Sequence, residues 1–291
     1  MRVFKFGGAS VSSIDRIKQV AHILRNESNL LVVISAMGKT TNALEKVAEQ
    51  FYAGNRDEAL ALFKQVKDQH INTAKYLLVT EYLACEQALI NFFTEVEWLL
   101  YDKPVRHFDY YYDQIVCIGE LLSTCIVSAF LNEEKISNKW IDVRDVFRTD
   151  DLFRDATIDW AFTQQKVDEL VKPLLAQNRI VVTQGFIGAT DENESTTLGR
   201  EGSDYSAAIF ANMLDADYQA IWKDVAGVMN ADPKKYPNAE LIPVLNYNEV
   251  IEMAYYGAQV IHPKTIKPLQ NKGIPLYVKC FLDPSLPGTV I

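Results

Sequence analysis

The stretch LGREGSDYSAA, residues 198–208, combines residue types that capture an anion. Arg200 is flanked by glycines, and its planar fork of donors suits bidentate binding of a carboxylate or phosphate. Ser203 and Asp204 have a simpler explanation, because a serine caps a helix and an aspartate in the first turn suits the helix dipole. A helix start does not account for Arg200. The stretch therefore predicts a helix that Ser203 caps and an anion site in front of it.

The sequence KFGG, residues 5–8, follows a short β-rich run. Glycines after a strand let backbone N–H groups approach an anion closely, and the next helix adds the positive end of its dipole. Lys5 lies at the end of a strand that we expect to be buried, where a lysine needs an anionic partner. An ordinary turn with a lysine that reaches solvent explains these residues equally well, so both interpretations stay open.

The sequence SAMGKTTN, residues 35–42, also follows an apolar strand. Its GKT resembles the end of a P-loop, but the first glycine of that motif would fall at Val33, inside the strand, and the match fails. The remaining Ser35 and Thr41 can bind a small polar substrate or merely cap the following helix. Helix capping is slightly favoured for this stretch alone.

Charged residues mark two further candidates. Glu120 lies among apolar neighbours. It either points into a cleft, where it can bind a substrate ammonium, or remains a solvated helix carboxylate, which this stretch alone favours. Asp224 follows a predicted strand, and Lys234 and Lys235 follow a turn. These three residues suit a nucleotide pocket, and a surface turn is the alternative.

Strands and helices alternate along the chain and must position these residues. Strands are predicted at 3–6, 30–34, 140–143, 179–189, 218–225 and 275–280, and helices at 14–24, 43–132, 158–177, 205–214 and 248–272. This alternation indicates an α/β protein with a mainly parallel sheet. Ligands of such sheets bind beyond the carboxyl ends of the strands, where the glycine-bearing loops fall.

The bulk composition narrows the class of protein. The chain has 291 residues, a net charge of −9, 48% hydrophobic and 23% charged residues, which fits a soluble enzyme. The negative charge argues against a nucleic-acid or anionic-membrane partner. Four scattered cysteines fit a reducing compartment, and we find neither a signal-peptide pattern nor a membrane-spanning run. We therefore expect a cytoplasmic protein.

Taken together, the candidate stretches resemble the aspartate kinases of the amino-acid kinase superfamily, and they occur in that family's order. The matching motifs are KFGGASV (5–11), SAMGKTTN (35–42), GE (119–120), GREGSDYSAA (199–208), DVAGVMNADP (224–233) and GAQVIHP (257–263). The resemblance implies a three-layer αβα sandwich with a mainly parallel central sheet and two lobes. A lobe of about 1–195, with the helical segment 43–132, would bind aspartate, and a lobe of about 196–291 would bind ATP.

The implied activity is that of an ATP-dependent aspartate kinase. A phosphoryl group passes from ATP to the side-chain carboxylate of L-aspartate and gives 4-phospho-L-aspartate, the first step of lysine, threonine and methionine biosynthesis. A carboxylate nucleophile needs no base at neutral pH, so positioning and charge neutralisation suffice. Mg²⁺ is expected with ATP, held mainly by water and phosphate oxygens, and no residue is assigned to it.

The same resemblance implies roles for individual residues. Lys5 would neutralise the transferring phosphoryl group, and Asp204 would orient the cationic groups. The aspartate-binding residues would be Ser35, Thr41, Glu120, Arg200 and Ser203, with Glu120 on the ammonium and Arg200 on the α-carboxylate. The ATP-binding residues would be Lys5, Gly7, Gly8, Ala9, Lys223, Asp224, Met229, Lys234, Gln259 and Val260.

Three positions depart from the family's usual pattern. Lys223 stands where the family commonly has threonine, and Met229 where an aromatic residue often faces the nucleotide. Gln259 replaces the lysine of a G-A-K-V motif and so removes an expected cation. Our hypothesis is that Lys223 or Lys235 compensates for that loss.

Two alternatives stand beside an aspartate kinase. One is another amino-acid or carbamate kinase of the superfamily. Arg200, Ser203 and Glu120 discriminate within the superfamily, because together they fit an α-amino acid zwitterion, which carbamate or a nucleotide monophosphate lacks. The other is a non-catalytic nucleotide or amino-acid sensor on the same fold, against which Lys5 and Asp204 argue.

The end of the sequence also departs from the typical relatives, which continue into ACT-type regulatory domains. This chain ends at Ile291. We expect either a catalytic-domain piece or a form without an ACT domain, and in both cases little feedback inhibition by lysine or threonine. The family alone suggests a homodimer, and we expect neither a nucleic-acid nor a membrane partner.

Arg200→Lys separates the anion site from a simple helix start. The substitution keeps the charge but loses the planar fork of donors. We therefore expect the KM for aspartate to rise much more than the KM for ATP, measured by steady-state kinetics with each substrate varied in turn. Equal effects on the two constants would favour the helix cap.

Overall fold

A parallel sheet forms the centre of the computed structural model, which describes residues 1–177, 179–231, 235–236, 238–257 and 261–291. The strands are β1 (Arg2–Phe6), β2 (Leu30–Ile34), β3 (Asn138–Trp140), β4 (Ile180–Gln184), β5 (Ile187–Ala189), β6 (Ser195–Thr197), β7 (Tyr218–Lys223), β8 (Leu276–Cys280) and β9 (Thr289–Val290). Within the described residues, seven strands form the main sheet in the order β3-β4-β2-β1-β7-β8-β9, and only β9 is antiparallel to its neighbour. The mainly parallel sheet predicted from the sequence is confirmed.

The central strands are buried on both faces. In β1, Phe4 and Phe6 belong to one hydrophobic core and Val3 belongs to the other. Every residue of β2 is buried. Strands of this kind occur in parallel sheets that helices cover on both sides. The unbroken apolar run LLVVI therefore lies beside β1 in the middle of the sheet.

Helices cover both faces of this sheet. They are α1 (Ile14–Leu24), α2 (Thr40–Tyr52), α3 (Arg56–Leu77), α4 (Tyr82–Tyr101), α5 (Phe108–Val116), α6 (Ile118–Glu133), α7 (Trp160–Lys166), α8 (Lys172–Ala176), α9 (Gly202–Met213), α10 (Tyr247–Tyr255) and α11 (Pro263–Gln270). Helices α1 to α6 contribute to the core that contains Phe4, and α8 to α11 contribute to the core that contains Val3. The expected three-layer αβα sandwich is confirmed.

The two expected lobes share the sheet. Strand β1 from the first lobe and β7 from the second are hydrogen-bonded neighbours, with Lys5 opposite Ile221. The boundary near residue 195 stays a prediction. The pairing of β1 with β7 brings the ends of both strands, and the residues that follow them, to one edge of the sheet.

Some predicted strand boundaries were wrong for local reasons. The stretch 179–189, predicted as a strand that enters a glycine-containing loop, forms two strands, because the chain turns at Gly185 and Phe186, where Phe186 has a φ of 72°. Strand β5 then pairs with β6 outside the main sheet. The predicted strand 140–143 ends at residue 140, before a short 3-10 turn. The predicted strand 218–225 ends at residue 223.

The helical segment predicted over 43–132 consists of α2 to α6. Its last part, Phe108–Glu133, has the length and apolar composition of a membrane-crossing helix, but 83% of its most apolar window is buried inside the protein. Such burial is typical of the core helix of a folded domain. Helix α6 packs against β2 and β4, which brings Glu120 beside Ala36, two residues beyond the end of β2.

Candidate active site

A cavity of about 580 Å³ opens at the carboxyl ends of β1, β2 and β7. This is the edge at which parallel α/β sheets hold their ligands. Predicted site residues from all parts of the chain line it together: Lys5, Gly7, Gly8, Ala9, Ser35, Thr41, Glu120, Arg200, Ser203, Asp204, Lys223 and Asp224. Residues that are up to 219 positions apart in the sequence therefore meet in one cavity.

Four other predicted nucleotide residues are not placed at this cavity by the described part of the chain, and only Met229 among them is described. Met229 makes an isolated β-bridge with Leu241 and is not among the lining residues. Lys234, Gln259 and Val260 lie outside the residues that the structure describes. The predicted nucleotide contacts of these four residues stay predictions.

Lys5 and Asp204 form a buried ion pair on the wall of the cavity. The Lys5 Nζ lies 2.6 Å from the Asp204 Oδ1, and only 9% of Lys5 and 5% of Asp204 are exposed. Burial alone would raise the pKa of Asp204, but the ammonium groups of Lys5 and Lys223 outweigh it and hold that pKa below its usual value. The anionic partner that a buried Lys5 requires is therefore Asp204.

Glu120 is a buried carboxylate with one unused oxygen. Its Oε1 accepts a hydrogen bond of 3.2 Å from the Ala36 N–H. Its Oε2 has no hydrogen-bond partner within the described part of the chain. Burial raises the pKa of Glu120 to about 8, although the Ala36 N–H and the charge of Lys5 counteract it. A carboxylate of this kind is suited to a cation that arrives from the cavity.

Close packing of two loops forms the floor of the cavity. The Gly38 N–H donates to the Gly8 carbonyl oxygen at 3.0 Å. A Cβ atom at Gly8 would lie 2.7 Å from the Ala36 carbonyl oxygen, a distance that real Cβ atoms essentially never show. The glycine at this position therefore lets the loop after β1 lie against the loop after β2, which carries Ser35.

The start of α9 differs from the prediction. The helix begins at Gly202, and Glu201 precedes it in the left-handed conformation with a φ of 55° and no side-chain cap. Ser203 therefore does not cap the helix, and it lies in the first turn beside Asp204. The signal was misread because αL residues usually end helices and rarely begin them. Glu201 instead accepts a hydrogen bond of 2.9 Å from the His262 N–H.

Two glycines allow the start of α9 to lie close to the end of β4 and the turn that follows it. A Cβ at Gly185 would lie 2.7 Å from Ser203, and a Cβ at Gly202 would lie 2.7 Å from the Phe186 ring. The Ser206 hydroxyl accepts from the Phe186 N–H at 2.9 Å. The first turn of the helix, with Gly202, Ser203 and Asp204, thus lines the cavity beside Arg200, where the positive end of the helix dipole favours an anion.

Sequence reasoning missed a network built on Asp113. This fully buried carboxylate accepts from the Arg154 N–H at 2.9 Å, the Thr197 N–H at 2.8 Å and the Thr197 hydroxyl at 2.7 Å. Burial raises the pKa of Asp113 to about 6, although these donors counteract it. The signal that marked Glu120, a carboxylate among apolar helix residues, also marks Asp113.

Glu45 and Tyr112 also line the cavity, and sequence reasoning missed both. The Tyr112 hydroxyl donates to the Glu45 Oε1 at 2.6 Å, and the Arg154 guanidinium carbon lies 4.5 Å from the centre of the Tyr112 ring. Glu45 is one helical turn after Thr41 in α2. These contacts connect α2, α5 and the loop that contains Arg154.

The described residues contain no group of three or more His, Cys, Asp and Glu side chains that could hold a metal ion. Two carboxylates of the cavity are committed elsewhere, as Asp204 is to Lys5 and Glu45 is to Tyr112. The cavity therefore fits poorly as a metal site made by the protein alone.

Comparisons with known proteins agree with this geometry. Residues 1–280 match the model of the amino acid kinase family. The chain is 35% identical to lysine-sensitive aspartokinase 3 of Escherichia coli strain K12, over 99% of this chain and 63% of that protein. It is 35% identical to chloroplastic aspartokinase 2 of Arabidopsis thaliana, over 99% of this chain and 54% of that protein. The chain thus spans less than two thirds of the length of either relative.

A solved structure is similar over the whole fold. The crystal structure of E. coli aspartokinase III in complex with aspartate and ADP matches with a TM-score of 0.87 and 34% sequence identity. The match covers 100% of this chain and 64% of that chain. The arrangement of strands and helices around the cavity is therefore shared with a protein whose structure holds an amino acid and a nucleotide.

Asp204→Asn tests the buried ion pair. The amide leaves the Lys5 ammonium buried without its counter-charge, so we expect a loss of roughly 3 kcal/mol in the free energy of unfolding, measured with urea at pH 7. The pKa of Asp204 lies below its ordinary 3.8. The stabilisation is therefore present above that pH and is lost as the pH falls through the lower folded value.

The double variant Lys5→Met with Asp204→Asn is the control for this prediction. It removes both charges, so it should be less destabilised than the sum of the two single variants. Additive losses would mean that the two side chains do not stabilise each other.

Proposed function

Because the chain belongs to the amino acid kinase family, we propose that it is an aspartate kinase. It would transfer the γ-phosphoryl group of ATP to the side-chain carboxylate of L-aspartate and produce ADP and 4-phospho-L-aspartate. One observation carries this choice of acceptor: the unused oxygen of buried Glu120 shares a cavity with Arg200 and with the Lys5–Asp204 pair. An anion-binding arginine and a cation-binding carboxylate together suit the zwitterion of an α-amino acid.

The acceptor binds through complementary charges. The Glu120 Oε2 receives the ammonium, and Arg200 receives the α-carboxylate at the N-terminal end of α9. Ser35, Thr41 and Ser203 line the same cavity and supply hydroxyl groups for the remaining polar atoms. The side-chain carboxylate then points at Lys5, toward the nucleotide.

Phosphoryl transfer requires alignment and neutralisation of charge. An oxygen of the aspartate side chain forms a bond to the γ-phosphorus, the bond from that phosphorus to the β,γ-bridging oxygen breaks, and ADP leaves with the electron pair. No proton moves, because the attacking carboxylate is already ionised at neutral pH. Lys5 neutralises the transferring group, and Asp204 holds its ammonium in place.

The nucleotide lies on the side of the cavity formed by Gly7, Gly8, Lys223 and Asp224. Backbone N–H groups of the glycine loop contact phosphate oxygens, and Lys223 adds a cation close enough to lower the pKa of Asp204. Mg²⁺ would accompany ATP and offset phosphate charge. Since the described residues offer no cluster of ligands, we assign no step to the ion.

The wider biological role follows from the activity. A kinase with this product would begin the synthesis of lysine, threonine and methionine, and the curated relatives named above are aspartokinases. The cytoplasmic location, the homodimer and the absence of nucleic-acid and membrane partners stay predictions from the sequence.

A coupled ADP-release assay with aspartate, glutamate and carbamate tests the proposal. We expect turnover with aspartate and little with the other two acceptors. Faster turnover with glutamate or carbamate would indicate another kinase of the superfamily. Binding of aspartate and ATP without any ADP release would indicate a non-catalytic sensor.

The pKa of Glu120 predicts a pH dependence of aspartate binding. With a pKa of about 8, Glu120 is mostly protonated at pH 7, and the ammonium requires the ionised form. The KM for aspartate should therefore fall roughly fivefold from pH 7 to pH 8, as the ionised fraction rises. Glu120→Gln should raise the KM and remove this dependence.

Calorimetry supplies the second measurement for Glu120. Aspartate binding at pH 7 should release close to one proton, seen as a binding enthalpy that depends on the ionisation enthalpy of the buffer. Glu120→Gln is expected to bind without that release. The same proton release in the variant would contradict the assignment of Glu120 to the ammonium.

Lys223 and Lys235 provide a matched pair for the nucleotide side. Lys223 lines the cavity, whereas Lys235 is exposed and does not line it. We therefore expect Lys223→Ala to raise the KM for ATP roughly tenfold, about the effect of one lost charge-assisted contact. Lys235→Ala should leave it within about twofold. An unchanged KM for ATP in both variants would refute the hypothesis that Lys223 or Lys235 replaces the cation that is lost at Gln259.

A further inference from the structure

Arg154 adopts a backbone conformation that its side chain disfavours. Its φ is 72°, in the left-handed region. Its N–H donates to the Asp113 Oδ2 at 2.9 Å, and Asp113 is fully buried. Non-glycine residues persist in this region when their surroundings hold them there, and they cluster at functional sites. The carboxylate of Asp113 is what holds Arg154.

The same carboxylate ties Arg154 to the segment that carries Arg200. Asp113 also accepts both donors of Thr197, which is three residues before Arg200 and lines the cavity. A Cβ at Gly199 would lie 3.3 Å from the Arg154 carbonyl oxygen. The loop that contains Arg154 is thus packed directly on the backbone in front of α9.

The Arg154 side chain lies beside Tyr112 and Glu45 in the lining of the cavity. Its guanidinium carbon is 4.5 Å from the centre of the Tyr112 ring, and the Tyr112 hydroxyl bonds to Glu45. Arg154, Tyr112 and Glu45 all line the active cavity. Two of the proposed aspartate-binding residues are close to them in the chain. Thr41 is one helical turn from Glu45 in α2, and α5, which contains Tyr112, leads into α6 and Glu120.

The ion pair that this guanidinium makes within the protein is weak. The Arg154 Nη1 lies 3.0 Å from the Asp109 Oδ1, and the two side chains are 48% and 54% exposed. Exposed ion pairs of this kind contribute little to stability, so a substrate carboxylate can replace Asp109 easily. Stacking on Tyr112 meanwhile keeps the guanidinium plane at the cavity.

We propose that Arg154 is a specificity-determining residue that, together with Arg200, binds the α-carboxylate of the acceptor amino acid. This inference rests on the proposed function, because it requires an α-amino acid as acceptor. Arg200 approaches from the start of α9 and Arg154 from the Tyr112 wall. Two arginines on one carboxylate make a free α-carboxylate a strict requirement of the acceptor.

Arg154→Gly is the most informative variant. Glycine accepts the left-handed backbone, so the relief of strain offsets the greater freedom of the unfolded chain, and the thermal midpoint should stay near that of the unaltered protein or rise. The KM for aspartate should nevertheless rise roughly tenfold, while kcat and the KM for ATP stay within about twofold. A purely structural Arg154 would leave all three constants unchanged, and that result would overturn the proposal.

Arg106→Gln is the matched control. Arg106 also stacks on a tyrosine, at 3.7 Å from the Tyr110 ring centre, and also pairs with a carboxylate, that of Glu194. Its side chain is 43% exposed, but it does not line the active cavity. We expect its aspartate KM to be unchanged. A rise equal to that of Arg154→Gly would attribute the effect to the general loss of a surface arginine and overturn the proposal.

The acceptor itself provides the specificity test. The α-amide of L-aspartate keeps the reacting side-chain carboxylate but lacks the α-carboxylate. The unaltered protein should prefer aspartate strongly, and Arg154→Gly should reduce the ratio of the two kcat/KM values roughly tenfold. An unchanged ratio would overturn the role of Arg154. Failure of the unaltered protein to phosphorylate aspartate would instead refute the proposed function.

Discussion

The ion pair of Lys5 and Asp204 is the contact on which the cavity depends. It joins the end of the central strand β1 to the first turn of α9, and neither charge is tolerable at its level of burial without the other. The pair therefore fixes where α9 begins relative to the sheet. An ammonium group has three donors, so after bonding to Asp204 the Lys5 Nζ can still donate to an anion in the cavity.

Close packing of backbone makes this pairing geometrically possible. The pair requires α9 to start within reach of β1, and Gly185 and Gly202 permit that approach, because a Cβ at either would collide with the opposing element. Gly8 does the same for the loops after β1 and β2. The glycines near the cavity thus act mainly because they lack a side chain. Without a Cβ at these positions, the loops after β1 and β2 and the start of α9 can lie close together around the cavity.

Local sequence signals predicted one part of this arrangement well. A strand with a buried lysine, glycines after strands, and an arginine between glycines each describe a short segment. The parallel sheet then brings such segments to the same edge. The buried partner of Lys5 could be anticipated only as some anion, because the identity of Asp204 depends on a contact across 199 positions.

Long-range contacts and exceptional backbone conformations were beyond sequence reasoning. Asp113 binds Arg154 and Thr197, which are 41 and 84 positions away in the sequence. Nothing near Asp113 in the sequence marks those partners. Left-handed φ values at Glu201 and Arg154 occur at residues that rarely adopt them, so the start of α9 was misplaced and the Arg154 loop was overlooked. Both exceptions lie at the cavity, where tertiary contacts outweigh local preference.

The charges of the cavity are consistent with the proposed binding of two anionic substrates by an acidic protein. The net charge of −9 repels ATP at long range, but solvent and salt screen that field within about 10 Å. Inside the cavity, Lys5, Lys223 and Arg200 act at short distance. Because burial raises the pKa of Glu120 to about 8, its carboxyl is largely neutral at pH 7 and adds little negative charge that would oppose phosphates. In the proposed function, an incoming ammonium would favour the ionised form and offset its charge, so Glu120 would select the amino acid with little effect on the field that holds the nucleotide.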